Sequence, residues 1–152
     1  MRALLAAILA CGCVSLVEAG ETLWRPAMDY LAVDDDCASA TDPETCKWMK
    51  ESWTRDYEGA ISGQYAGQRN VAHCLSTGCE ATYGKSIRKN PILGCAWHIV
   101  IINSGHLDAS SVDASSFKTY CGPHFLDDLG RKMADAQART ILKNLNIPVQ
   151  LP

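Results

Sequence analysis

The chain has 152 residues, 47% of them hydrophobic and 20% charged, with a formal net charge of −3 at pH 7. So small a charge, mixed in sign along the chain, excludes the basic surface of a nucleic-acid binder or a membrane-surface protein. The length suits one domain with a real core.

Met1 to Ala19 reads as a secretory signal. Arg2 supplies the positive start, Ala3 to Val17 the apolar run, and Val17-Glu18-Ala19 a cleavage site ahead of Gly20. Residues 20–152 are then a single helical domain, periplasmic or secreted. Ile8-Leu9-Ala10-Cys11 approximates a lipobox, so a lipoprotein anchored at Cys11 is the alternative. The apolar run is shorter than the roughly 20 residues a bilayer span needs, and nothing later is long enough.

Past the signal six cysteines remain: Cys37, Cys46, Cys74, Cys79, Cys95 and Cys121. An even number in an exported chain points to disulfides, which persist in oxidising compartments. Six cysteines allow about 15 pairings. Proximity along the chain suggests Cys37 with Cys46, Cys74 with Cys79, and Cys95 with Cys121.

Glu21 to Thr45 is a polar opening segment with Trp24, Met28, Tyr30 and Leu31 as anchors. Its Asp34-Asp35-Asp36 run lacks the central Gly and terminal Glu of an EF-hand loop, so a solvated acidic turn is expected. Asp42 and Pro43 then mark a helix start as N-cap and first helical residue. Met49, Trp53, Tyr57 and Ile61 recur every four residues as an amphipathic stripe, with Trp48 and Ala60 beside it. Gly59, Gly63 and Gly67 predict a break near 62–67.

The stretch from Asn70 to His106 is the most informative. Val71, Ala72 and Leu75 give one short helix an apolar edge, and Gly78 closes it as a C-cap. Asn90-Pro91 opens a second helix, in which Ile92 to Ile102 is apolar almost all round; this is expected to be the most buried element. The β-branched run Ile99 to Ile102 also suits a strand, but the Asn-Pro start and the Gly105 stop bracket a helical length. Val112, Phe117 and Tyr120 follow at loose helical spacing within Asp108 to Cys121, before a Gly122-Pro123 break. A final helix over 126–145 places Leu126, Leu129, Met133, Ala134, Ala138, Ile141, Leu142 and Leu145 on one face. Asp127 and Asp128 in its first turn and Arg139 and Lys143 towards its end suit the helix dipole. The class is all-α.

Ala72 on a first helix, the Gly84-Lys85-Ser86-Ile87 turn, Asn90 before a second helix, then Ala96-Trp97 and Ser104-Gly105 together resemble the Sel-one-like repeat, a relative of the tetratricopeptide repeat. One copy is legible, over residues 66–106. Ser86 stands where the family's loop carries its second Gly. The resemblance implies a short, disulfide-stabilised stack of antiparallel helical hairpins of the tetratricopeptide/Sel-like superhelix type, with degenerate helices on either side as caps. It further implies a bacterial, non-enzymatic scaffold or interaction module that binds a protein or peptide partner through the concave side of its helices or the loop Glu80 to Lys89.

The motifs that carry chemistry elsewhere are each incomplete here. Gly78 to Ser86, GCEATYGKS, is one residue too long for a phosphate-binding loop and follows no strand signal. Cys121-Gly122-Pro123-His124 has His124 in place of the second redox cysteine, and Pro123 reads as a helix start. Cys95 to His98 and Cys121 to His124 form two Cys-x-x-His pairs. As tetrahedral zinc ligands, or as a thiol-redox centre, they give the alternative function of a small exported zinc-dependent or redox protein. His73 beside Cys74 is not a nucleophile–base pair, because sequence neighbours on a helix do not face each other. Ser110, Ser111, Ser115 and Ser116 sit in no nucleophile elbow. No catalytic residue, cofactor or metal ligand is assigned.

Overall fold

The computed structural model describes residues 24–32, 37–79 and 87–148. The signal sequence and its Cys11 alternative, the three-aspartate run and the Glu80–Ser86 part of the expected binding loop lie outside them. Among the described residues there are five α-helices and no strand: α1 (Pro43–Ile61), α2 (Tyr65–Thr77), α3 (Pro91–Asn103), α4 (Ser111–Tyr120) and α5 (Asp128–Asn144). Short 3-10 turns at Ala27–Tyr30 and Cys37–Ser39 precede them. The β-branched run 99–102 is thus helical. An isolated antiparallel bridge between Leu31 and Ile87 ties the opening segment to the approach of α3.

The caps explain where the helices begin and end. Asp42 accepts from the Thr45 N–H with Pro43 at the first position, and Asn90 accepts from the Leu93 N–H with Pro91 behind it. Each side chain satisfies a donor that the first turn leaves unpaired. Ser110 and Asp113 form a reciprocal capping box on α4, and Asp127 accepts from the Gly130 N–H to start α5. The expected break after α1 is a three-residue turn, with Gly63 at φ +81°, where a side chain would be strained. Gly78 ends α2 at φ +82°. Pro123 lies in the turn ahead of α5 and does not open that helix, which starts at Asp128.

Two close approaches set the hairpins. A Cβ on Gly67 of α2 would stand 2.5 Å from the Ala60 backbone nitrogen of α1, and one on Gly94 of α3 would stand 2.4 Å from Ser76 Oγ of α2. Gly94 meets Ser76 at one end and His106, just past α3, meets Gln68 at the other, so α2 and α3 run antiparallel. The same holds for α3 and α4, joined by Cys95–Cys121 near one end while Ile101 and Asp113 face a common cavity near the other. α3 packs on α2, α4 and α5, and every residue from Gly94 to Ile101 is buried. Trp53, Val71, Leu75, Trp97, Val100 and Leu142 complete the centre of the core.

The three disulfides are Cys37–Cys46, Cys74–Cys79 and Cys95–Cys121. They point to an oxidising, extracellular-type environment, and no described helix is long and apolar enough to cross a membrane.

Several side chains expected inside are not. Leu129 is 65% and Met133 44% exposed, because α5, which starts at Asp128 and leaves the buried Leu126 in the turn before it, points the neighbouring ridge of Gly130, Ala134, Ala138 and Leu142 inward. Small residues on that ridge let α5 approach α3 closely, and the ridge one residue earlier is carried about 100° away from the contact. Trp48 on α1 and Met28 in the opening segment are also exposed, while Trp53, Tyr57 and Ala60 bury the α1 stripe. Met49 and Ile61 at the ends of that stripe are partly buried against the core.

Candidate functional site

Two concave features stand out. The first is a groove of about 410 Å³ between the opening segment, α3 and α5, lined by Trp24, Arg25, Tyr30, Tyr57, Asn90, Leu93, Trp97, Gln137, Thr140, Ile141 and Asn144. Local geometry fixes its aromatic wall. Trp53 Nε1 donates to the Ala27 carbonyl at 2.8 Å, and the Arg88 N–H donates to the Tyr30 carbonyl at 2.8 Å, so the opening segment is held on both sides. Trp24 then stacks on Trp97 with centroids 6.1 Å apart, and Tyr30 leans on Tyr57 at 5.3 Å. Burial pushes the Tyr57 hydroxyl far above its ordinary pKa, with Tyr30 and Asp29 adding to the shift. Gln137 brings an amide oxygen, Oε1, that is buried and has no protein partner. An aromatic floor with one unpartnered amide oxygen in its wall suits a mixed polar–apolar ligand.

The second is a cavity of about 270 Å³ between α2, α3 and α4, lined by Arg69, Asn70, His73, His98, Ile101, Asp113 and Ser116. Asp113 is its structural anchor. Its Oδ2 accepts from Tyr65 Oη at 2.7 Å, from the Ser110 N–H at 2.9 Å and from Ser110 Oγ at 3.2 Å, while Oδ1 pairs with Arg69 Nε at 3.0 Å. Burial alone would raise the Asp113 pKa, but the bonds from Tyr65 and Ser110 and the Arg69 charge outweigh it and hold the carboxyl below its usual range. Burial, then the bond to Asp113, pushes the Tyr65 hydroxyl up.

His98 is the other buried member, at 4% exposure, with Nε2 lacking any protein partner. Its ring stacks on Tyr120 at 5.2 Å, and His73 meets the edge of the same tyrosine at 6.1 Å. Burial and then the neighbouring His73 lower the His98 pKa to about 4, against the pull of Asp113, so the ring is neutral near pH 7.

The residues singled out in the sequence are distributed differently from any catalytic constellation. Cys95 and Cys121 are bonded to each other, so neither is a thiolate able to ligate zinc in this state. His98 turns into the second cavity and His124 lies exposed on the turn after α4. Among the described residues no three His, Cys, Asp or Glu side chains form a metal-binding group. Cys74 is bonded to Cys79, while its neighbour His73 is exposed on α2. The helix α2, not a strand, runs into Gly78. Ser110 caps α4.

Sequence reasoning missed Arg69, Asp113 and Gln137. The Ser110-x-x-Asp113 capping box was a usable signal for Asp113. Nothing local marks Arg69 or Gln137, whose environments come from helices far away in sequence.

Fold and sites together define a small, disulfide-tied all-α protein with an aromatic groove near the start of α3 and a histidine-floored cavity towards its end. Comparison with family models, with curated proteins and with solved structures finds no match to the chain.

Proposed function

We propose that the protein is an exported, non-enzymatic interaction module of the Sel-like repeat kind, which receives a short segment of a partner protein or peptide in the aromatic groove. The observation that carries this is the groove itself. Its aromatic faces offer apolar contact at low conformational cost, and the carboxamide of Gln137 in its wall, whose buried Oε1 no protein group meets, accepts from a peptide N–H once its side chain turns outward. Its volume takes one or two side chains and not a whole helix, so an extended segment is the fitting occupant. The close α2–α3 hairpin, with Ala72 and Ala96 fully buried, agrees with the Sel-like resemblance. The disulfides agree with export to a periplasm or beyond.

A peptide display library panned against the oxidised, folded protein tests this. Enriched peptides should quench tryptophan fluorescence and lose at least fivefold in affinity in both Trp24→Ala and Gln137→Leu. The reading fails if no peptide is enriched, or if enriched peptides bind both variants as well as the parent.

A further inference from the structure

The cavity towards the end of α3 shares no lining residue with the groove near its start and poses its own chemical question. Its one carboxylate, Asp113, is engaged on both oxygens by Tyr65, Ser110 and Arg69. Arg69 spends Nε on that pair, which leaves its two terminal amino groups for another acceptor. Asn70 and Ser116 add an amide and a hydroxyl at the wall, and His98 forms the floor with a buried Nε2 that no protein group meets. A buried ring nitrogen without a partner is costly, and beside it Arg69 can only donate while Asn70 and Ser116 can donate as well as accept, so an acceptor ligand meets a donor from each of them. We infer that the cavity is a binding site for a small carboxylate, held by the Arg69 guanidinium and by Nε2–H of His98.

The charges choose carboxylate over phosphate. Arg69 and Asp113 cancel, so at pH 7.5, where inorganic phosphate is mainly a dianion, phosphate would place two uncompensated charges beside a buried carboxylate, whereas a carboxylate brings one. That one charge is neutralised if binding is accompanied by a proton. The groups facing His98 are His73 and Arg69 from α2, Asp113 and Tyr120 from α4, and its own desolvation. Burial disfavours its charged form when the cavity is empty of anions, and a carboxylate against Nε2 restores it. If the bound-state pKa returns to the ordinary histidine value of about 6.5, affinity rises about tenfold between pH 7.5 and pH 5.5. The proton goes from solvent to the imidazole, and no covalent bond is made or broken.

The test is a titration of the oxidised full chain followed by the histidine ring signals in NMR, with sodium acetate, with N-acetyl-dialanine carrying a free C-terminus, with the same dipeptide amidated, and with inorganic phosphate. The expected result is a saturable shift of the His98 ring with acetate or the free dipeptide, about tenfold tighter at pH 5.5 and at least fivefold weaker in Arg69→Gln. A tighter acetate response names a free small carboxylate as the ligand, and a tighter dipeptide response names a chain terminus. Asn70→Ala, an exposed change that leaves folding intact, should weaken binding two- to threefold. The inference is overturned if His98 does not respond to either carboxylate at 50 mM, if the amidated dipeptide or phosphate binds as well, or if Arg69→Gln binds unchanged.

Discussion

At the residue scale, His98 ties stability to pH in a window that no carboxylate shares. Its folded pKa, about 4, lies below the ordinary value of 6.5, so the unfolded chain binds the extra proton. Stability from this group is fully present above pH 6.5 and is lost as pH falls from 6.5 to 4. At about 1.4 kcal/mol per unit, that loss is on the order of 3 kcal/mol. Urea midpoints taken every half unit should fall through this range in the parent and level off in His98→Phe, which keeps the stack on Tyr120. Asp113 acts lower down. Its folded pKa is held below 3.8, so its contribution persists until the pH drops under that value. Replacing it removes a cap and strands Tyr65 Oη and the Ser110 N–H, both hydrogen-bonded to a charge in the parent. With Arg69 about half exposed and so discounted for solvent screening, Asp113→Ala should cost roughly 2–4 kcal/mol in urea unfolding. Asp113→Asn, which keeps part of the hydrogen bonding, should cost about half as much.

At the element scale, α4 is attached differently from the other helices. Its one buried residue is Asp113, Val112 lies mostly in solvent and Phe117 is only partly covered, so hydrophobic burial holds it weakly. The Cys95–Cys121 disulfide at one end and the Asp113 network at the other do most of the fastening. In the double variant Cys95→Ala, Cys121→Ala, the amides of Ser111–Tyr120 should therefore exchange with solvent well before those of α2, α3 and α5, as hydrogen-exchange mass spectrometry would read. The α2–α3 contact behaves in the opposite way: Gly94→Ala gains up to about 1 kcal/mol of helix propensity, yet its methyl would stand 2.4 Å from Ser76 Oγ. Overpacking of that kind costs about 1–3 kcal/mol, so the melting temperature should fall. Helix starts and stops were legible in the sequence because Asp42-Pro43, Asn90-Pro91 and the closing Gly78 act within one turn of themselves. Helix rotation was not. Leu129 and Met133 fit an apolar face as well as Gly130 and Ala134 do, and what turned the small residues inward is the closeness of α3, which no window of α5 contains.

At the scale of the whole molecule, α3 is the common partner. α2, α4 and α5 pack on it directly, and α1 reaches it through α2. That centrality was readable from its uniformly apolar run, whereas the histidine cavity was not, since Tyr65 and Asp113 are 48 residues apart and meet only once the helices have docked. The same layout orders the disulfides by what must open to expose them. Cys37–Cys46 fastens a 3-10 turn to the first turn of α1 at the periphery, and Cys37 is partly exposed. Both partners of Cys74–Cys79 and of Cys95–Cys121 are buried, and Cys95 sits on α3 itself at 1% exposure. A reductant attacks a sulfur it can reach, so graded phosphine treatment under native conditions should open Cys37–Cys46 first and Cys95–Cys121 last. In the chain-entropy picture the first step removes at most about 2–3 kcal/mol, within the 5–15 kcal/mol typical of a domain, so the helical circular-dichroism signal should survive it. Opening Cys95–Cys121 requires α4 to leave α3 and removes a further 3–4 kcal/mol or so, so helicity should fall in the same step. Differential alkylation and peptide mass mapping read the order directly. Early labelling of Cys95 or Cys121 with the helices intact would mean that α4 separates from α3 in the native state, and that the cavity between them opens without unfolding.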